Sequence, residues 1–307
     1  MHEVEVSTFA GFSSCFDLDR LNADIAIIGI PYGTPYNADE PPLSLNAPTA
    51  IRRESVRYPD DPIAWDFDLD GTLLGGTGAN VVDCGDLPGS QNDPQVNRQA
   101  AVSAIKKILN AGAIPLVLGG DDSIPIPVLN AYSVQEPFYV LQLDAHIDWR
   151  NHVNGISEGY SSTMRRASEL PCVKGITQVG MRGVGSARIE EYRAALEYDA
   201  HLVTSSELKR EGVNAALDFI PRDSRCFLTI DFDALDPSVM PAVGAPTPGG
   251  LSFLEMINLI QAATQKTQLV GVCLLELVPE LDVNHLGSIT AMCVAWNAIG
   301  ALARSIP

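Results

Sequence analysis

Two acidic segments constrain this 307-residue chain more than any other feature. Phe138–Leu143 is a short apolar run followed at once by Asp144, His146 and Asp148. Cys226–Ile230 is another, followed by Asp231 and Asp233. Alternate residues of an extended strand point the same way. Each segment therefore projects metal-type ligands from one face, at the end of what reads as a buried strand. Where two such strands lie close together, four carboxylates and an imidazole converge. Removed from water, their charges repel strongly unless cations compensate them. A paired divalent-metal centre is the natural compensation.

Similar runs recur along the chain. Ala23–Pro31, Ala79–Cys84, Ala113–Leu118, Ile176–Val179, Leu202–Val203 and Leu269–Leu277 all read as strands. Between them lie helical patterns: Pro48–Val56, a segment from Asp93 through Ala111, one running to Tyr132, and Ala187–Tyr198. Ser252 and Glu255 have capping-box spacing and open a helix to about Ala263; Ser288–Ala303 is the last helix. Strands alternating with helices predict right-handed βαβ units and an α/β fold with a mainly parallel sheet. Gly119–Ser123, Asp144–Asp148, Asp231–Asp233 and Glu276 all fall at C-terminal strand ends, where open α/β sheets bind their ligands. One Asp after a strand reads as a helix cap; four such sites on four core strands read as a centre.

Composition narrows the partners. The chain carries 38 acidic against 20 basic residues, a formal charge of −18. Such a surface argues against nucleic acid and anionic membranes and fits attraction of cations, although acidic surfaces also serve solubility. No linker or low-complexity tract divides the sequence, so one domain over 1–307 is expected, with 1–22 as an N-terminal extension. The start of the chain lacks a secretory pattern. The apolar stretch Ala291–Ala303 reads as too short to span a bilayer. Six cysteines without C-x-x-C spacing read as free thiols, with Cys226 and Cys273 buried, in a reducing, cytoplasmic compartment.

The motif residues together resemble a family. Gly119-Gly120-Asp121-Asp122-Ser123, Asp144-Ala145-His146-Ile147-Asp148, Asp231-Phe232-Asp233 with Asp236-Pro237, and Leu275-Glu276 with Pro279 are similar to the four signature blocks of the ureohydrolase superfamily, the arginases and agmatinases. Weaker likenesses are Gly29–Pro31 with Ala47–Arg52, Asp83–Asp86, and Thr247–Gly250. The resemblance implies a three-layer α/β/α sandwich, assembled as a homo-oligomer (trimer or hexamer). It implies hydrolysis of a guanidino compound to urea and an amine, with two Mn²⁺ ions sharing a hydroxide. Asp144 and Asp231 would bridge both metals, Asp148 would bind the first and orient the hydroxide, and His146 and Asp233 would complete the second. Glu276 would hold the substrate guanidinium, a small cation. Carboxylate and imidazole ligands suit Mn²⁺ and also admit Ni²⁺.

Three departures qualify the resemblance. Asp122 stands where the family has a metal-binding His; it is either a ligand in its place or too short to reach. The stretch Gly159–Arg166 lacks the agmatinase His before its Thr, and His152 is the candidate substitute, although the solvated loop residue is the favoured reading of it. Val278 replaces a frequent Asn after Glu276. Loops 32–46 and 149–160 are expected to read the far end of the substrate, with Tyr32, Tyr36, Asp39, Glu40, Arg150 and Glu158 as candidates; Arg165 and Arg166 read as structural. The leading expectation is an agmatinase-like amidinohydrolase. Guanidine, a guanidino acid or a biguanide are alternative substrates. The competing class is a non-catalytic subunit supporting an active paralogue, with Asp122 as its lesion. A single-zinc deacetylase of related topology fits less well, because it lacks the paired Asp-x-Asp with Glu276.

Overall fold

The four polar motifs, far apart in sequence, end neighbouring strands of one sheet. The computed structural model describes residues 8–37, 43–57, 61–90 and 93–306. Its strands are β1 (Ser13–Ser14), β2 (Ile25–Ile30), β3 (Val81–Asp86), β4 (Ile114–Gly119), β5 (Phe138–Leu143), β6 (Val173–Met181), β7 (His201–Thr204), β8 (Arg225–Asp231) and β9 (Gln268–Leu275). They form one sheet in the order β1-β3-β2-β4-β9-β8-β5-β6-β7, every pairing parallel. The chain builds one half outward from β2, crosses to β5 and builds the other, then returns with β8 and β9 to fill the gap. The central strands β4, β9, β8 and β5 thereby bring Asp122, Glu276, Asp231 and Asp144 to one edge.

The period-2 pattern of each strand divides the core into two faces. Ile25, Ile27, Leu116, Leu118, Leu228 and Ile230 pack on one side. That side is covered by helices α1 (Ala47–Ser55), α8 (Phe253–Lys266) and α9 (Leu286–Ser305). Ala26, Ile28, Val117, Val140 and Phe227 face the other side, under α2 (Pro94–Asn110), α3 (Pro125–Ala131), α4 (Thr163–Ser168) and α5 (Ile189–Glu197). Two short helices, α6 (Ser205–Glu211) and α7 (Val213–Leu217), contribute Leu208 and Leu217 to the first side. The expected three-layer α/β/α sandwich is the fold.

Most strand and helix ends fall within a few residues of expectation. The Asp93 carboxylate accepts from the Gln95 and Val96 amides, and Ser252 with Glu255 closes the expected capping box. The short helices α4, α6 and α7 are absent from the sequence reading because five to seven residues carry too little periodicity. The reading of the C-terminal stretch is corrected. Helix α9 has 20 residues and, among the described helices, is the one long and apolar enough to cross a membrane by length and composition. It begins before the apolar run because Asp282 accepts from the amides of Gly287 and Ser288, each at 2.8 Å. Yet 78% of its most apolar window is buried within the protein, so it is packed as a core helix.

A buried ion pair ties α1 to the sheet edge. Arg52 forks onto Asp83 through Nε at 2.8 Å and Nη2 at 2.9 Å, and also pairs with Asp86. Asp83 further accepts the Phe9 amide at 2.8 Å, drawing residues 9–14 against β3. Two of the weaker motif segments therefore meet as a structural clamp. Removing one partner of a buried pair leaves an uncompensated charge. Arg52→Ala should lower the unfolding free energy by about 3–5 kcal/mol in chemical denaturation, and Arg52→Lys should recover only part of it, since an ammonium cannot reproduce the fork.

Candidate metal centre

Each acidic residue is placed by a local backbone device. Asp144 directly follows β5 and Asp231 ends β8, and each carboxylate turns back to accept an amide two residues on: His146 N–H at 2.6 Å and Asp233 N–H at 2.7 Å. These turns set His146 and Asp233 beside the strand ends. Asp233 also accepts from the Ala145 amide at 3.0 Å, which locks the β5 and β8 loops together. Arg182 fastens the β8 loop from behind, donating to the carbonyls of Asp233 at 2.7 Å and Thr247 at 2.6 Å. Its guanidinium is spent on carbonyl groups and forms no ion pair with the cluster.

The glycine block brings in Asp122. Gly120 lies so close to the chain after β2 that a Cβ would sit 1.6 Å from the Tyr32 carbonyl oxygen; only glycine fits there. Asp121 is structural, its carboxylate accepting from Ser123 at 2.9 Å and Thr34 at 2.9 Å. The Asp122 backbone is held by the Thr163 hydroxyl, which donates to its carbonyl, and its amide donates to Glu276 Oε1 at 2.8 Å. Asp122 is buried, and both its carboxylate oxygens lack a hydrogen-bond partner.

The residues converge as two overlapping donor sets. Ligand atoms of Asp144, His146 and Asp233 lie within 4.8 Å of one another, and so do those of Asp122, Asp144 and Asp231. Asp148 is buried beside them, its Oδ2 accepting from Gln142 Nε2 at 2.7 Å. The same amide donates to Asp144 Oδ2 at 2.7 Å. Among the described residues, the ion-pair partner of this cluster is His146, 3.0 Å from Asp233 and 3.3 Å from Asp144 through Nδ1. One imidazole cannot neutralise five carboxylates. A buried, unpartnered carboxylate among like charges fits a divalent cation. The donor set and the orphaned oxygens of Asp122 therefore suit the metal that the sequence motifs imply.

The electrostatics carry the same message. Burial, then the charges of Asp148 and Glu276, pushes Asp122 well above the ordinary carboxylate range. Asp144 and Asp231 are raised well above it too, by burial and then by their acidic neighbours. Burial raises Asp148, and lifts Glu276 to about 8, helped by the charge of Asp121. Burial alone would lower His146, but the hydrogen bond and charge of Asp233, with Asp148 and Asp231, push it up to about 9. Perturbations of this size gathered in one cleft mark functional groups.

The cluster floors a cavity of about 360 Å³. Tyr36 and Tyr160 wall it, their rings 4.6 Å apart, and Arg150 lines it while paired to Glu191 at 3.2 Å. Of the sequence candidates, Asp122, His146, Asp148, Asp231, Asp233 and Glu276 line this cavity, and Asp144 lies buried beneath it. His152 is exposed on its loop and does not line it. Glu158 pairs with Arg98 at 3.0 Å, outside the cavity. Arg165 and Arg166 pair with Glu169, just past the end of their own helix. Val278 is buried, its amide donating to the Ala242 carbonyl. Asp39 and Glu40 lie outside the described residues.

Sequence reasoning missed the support beneath the ligands. Trp149 Nε1 donates to Gln178 at 2.7 Å, Gln178 donates to Gln142, and Gln142 holds Asp144 and Asp148. Gln142 and Gln178 are register partners on β5 and β6, both fully buried. Their signal was present as single polar residues inside apolar strands.

Comparison with known proteins agrees with this geometry. The model of the arginase family matches residues 23–301. The chain is 33% identical to an N(1)-aminopropylagmatine ureohydrolase of Thermus thermophilus over 199 residues, a match that spans 63% of this chain and 64% of that protein. It is 28% identical to an agmatinase of Pyrococcus horikoshii, covering 94% of this chain and 95% of the relative. The solved structure of proclavaminate amidinohydrolase from Streptomyces clavuligerus superposes with a TM-score of 0.84 at 26% identity, covering 98% of each chain. With the motifs, the sheet order and the family match in agreement, the chain belongs to the arginase family, on its agmatinase-like branch.

Proposed function

We propose that this protein is a metal-dependent hydrolase that cleaves a guanidino compound to urea and an amine. The observation that carries the reading is the unpartnered Asp122 carboxylate, buried in an acidic cluster beside Glu276 on the floor of an open cavity. The relatives support it, being named for a ureohydrolase, an agmatinase and an amidinohydrolase. Two divalent cations, Mn²⁺ or Ni²⁺, would be held by Asp122, Asp144 and Asp231 on one side and by Asp144, His146 and Asp233 on the other, with Asp148 alongside. Such a pair supplies Lewis acidity and brings the pKa of water towards neutrality.

The protein's own groups do the rest. Glu276 is a half-buried carboxylate whose position is fixed by the Asp122 amide. It pairs with two N–H groups of a guanidinium and orients the carbon towards the cluster. Burial raises its pKa to about 8, so it holds its proton near neutral pH until a cation beside it favours the carboxylate. Asp148, fixed through Gln142, accepts the proton of the attacking water and passes it to the departing amine. Tyr36 and Tyr160 give the substrate an aromatic wall, and the Arg150–Glu191 pair presents both charge signs to its tail. His152 has no part in this reading. We further take the chain to act as one domain, in a cytoplasmic homo-oligomer (trimer or hexamer). The direct test is urea release from a panel of guanidino compounds, with Mn²⁺ and Ni²⁺ loaded separately. No urea from any of them, with metal bound, would reject the activity.

Two further outcomes are expected. Glu276→Gln should lower kcat/KM on the order of 100-fold or more, through loss of one charge-assisted contact in the reacting geometry. The metal content should be unchanged. The second outcome concerns pH. Acids whose folded pKa lies above the unfolded value of ~4 keep protons that the unfolded chain has released. Their stabilisation is full below that value and disappears as pH rises through the folded one, about 8 for Glu276. His146, raised to about 9, acts in the same sense from its unfolded ~6.5 upward. Asp236, held down at about 2 chiefly by Ser238, titrates below this window. The metal-free protein should therefore lose thermal stability between pH 5 and 9, on the order of those values. Divalent cations should restore it most at the alkaline end. A Tm that rises with pH in chelator would contradict the buried-charge account.

A further inference from the structure

We propose that the two cation sites are chemically unequal: the Asp122 site favours Ni²⁺ over Mn²⁺ far less than the His146 site does. The inference rests on the metal-dependent reading above and goes beyond it by assigning each site its own preference. The two donor sets share Asp144 but differ in kind. Asp122, Asp144 and Asp231 offer oxygen alone, whereas Asp144, His146 and Asp233 include an imidazole nitrogen. They differ in surroundings as well. All three members of the first set are buried, while the His146 side chain is 27% exposed.

Asp122 points to a cation independently of the cluster's charge. Its backbone is held on both sides, by Thr163 at the carbonyl and Glu276 at the amide, so the carboxylate has a fixed base. It is 3% exposed, and both its oxygens are without a partner. Asp233 differs, because the Ala145 amide and His146 already occupy its oxygens. Affinity for a given nitrogen or oxygen site rises from Mn²⁺ to Ni²⁺, and imidazole suits the later metals, whereas carboxylate sites suit Mg²⁺, Ca²⁺ and Mn²⁺. Three carboxylates add negative charge without adding nitrogen, so this site gains general electrostatic attraction and loses the donor that rewards Ni²⁺.

The test uses the full chain stripped of metal, titrated by calorimetry with Mn²⁺, Ni²⁺ or both, then desalted for metal analysis and counted for Mn²⁺ by electron paramagnetic resonance. With Ni²⁺ alone, one ion per chain should be retained and a second should bind more weakly, on the order of tenfold. With one equivalent of Ni²⁺ and an excess of Mn²⁺, each chain should carry one of each, the Ni²⁺ at the His146 site. Asp122→His should retain two Ni²⁺, and His146→Asp should retain two Mn²⁺ with weakened Ni²⁺. Asp122→Asn, closer in shape, should keep the one tight Ni²⁺ and lose the Mn²⁺; it carries the test if the His variant does not fold, judged by its Tm. Two Ni²⁺ bound with comparable affinity by the unaltered protein, or equal Ni²⁺ content in it and Asp122→His, would overturn the proposal while leaving a metal-dependent enzyme. If no divalent cation binds at all, both the proposal and the metal-dependent reading fail.

Discussion

Buried negative charge at the C-terminal edge of the sheet is the constraint on which the rest of the molecule depends. Asp122, Asp144, Asp148, Asp231 and Asp233 are all buried, and Glu276 lies with them at the cavity floor. A fold that places so many carboxylates together works against its own stability unless they stay protonated or meet cations. The remaining architecture is arranged to hold them despite that cost. Gln142 bridges Asp144 and Asp148, Arg182 holds the β8 loop through carbonyls, and Gly120 lets the first loop pass close enough to seat Asp121. Of these groups only Arg182 carries an opposing charge, and its guanidinium is bonded to carbonyls rather than to the carboxylates. The groups fix the geometry of the buried charge and leave the neutralising to a ligand.

Strand order turns scattered motifs into a site. Asp122 and Glu276 are far apart in the chain, yet β4 and β9 are neighbours, and β8 and β5 follow directly. Because β8 and β9 return into the centre of the sheet, its four middle strands all end in polar residues on the same edge. The layers on either face are ordinary packed apolar surfaces. The Arg52–Asp83 clamp sits towards the other end of the strand order, on β3. Stability and chemistry are thus served by separate parts of the sheet, and a substitution in the clamp should leave the cation site intact in molecules that remain folded.

Much of this was legible in the sequence because the informative patterns are local. Alternation in Asp144-x-His146-x-Asp148 and Asp231-x-Asp233 requires only a strand and its end, and the structure brings these residues together. The apolar runs of β2, β4, β5, β8 and β9 needed only their length and flanks. What was not legible depends on pairing between distant segments. The Gln142–Gln178 contact exists because β5 and β6 are in register, which no single segment specifies. The extent of α9 depends on a cap from Asp282, outside the apolar run. The position of His152 was open to sequence reasoning only as nearness to Asp148 along the chain; the loop turns it to solvent instead.

Backbone strain links Glu276, the proposed guanidinium partner, to the acidic cluster. Asp148 and Glu276 both adopt left-handed φ angles, 52° and 67°, which are costly for residues with a Cβ, at about 1–3 kcal/mol each. Such conformations persist only where neighbours over-determine them. The Glu276 amide donates to the Gly120 carbonyl at 2.9 Å while its carboxylate receives the Asp122 amide, so the glycine block clamps it at both ends. The Asp148 carbonyl accepts from the Arg165 amide at 3.1 Å and its carboxylate receives Gln142. In both cases the residues that enforce the strained backbone also seat the acidic cluster. A shift of the Asp122 backbone would therefore move Glu276 directly, which couples the proposed guanidinium contact to the proposed cation site through one piece of local structure.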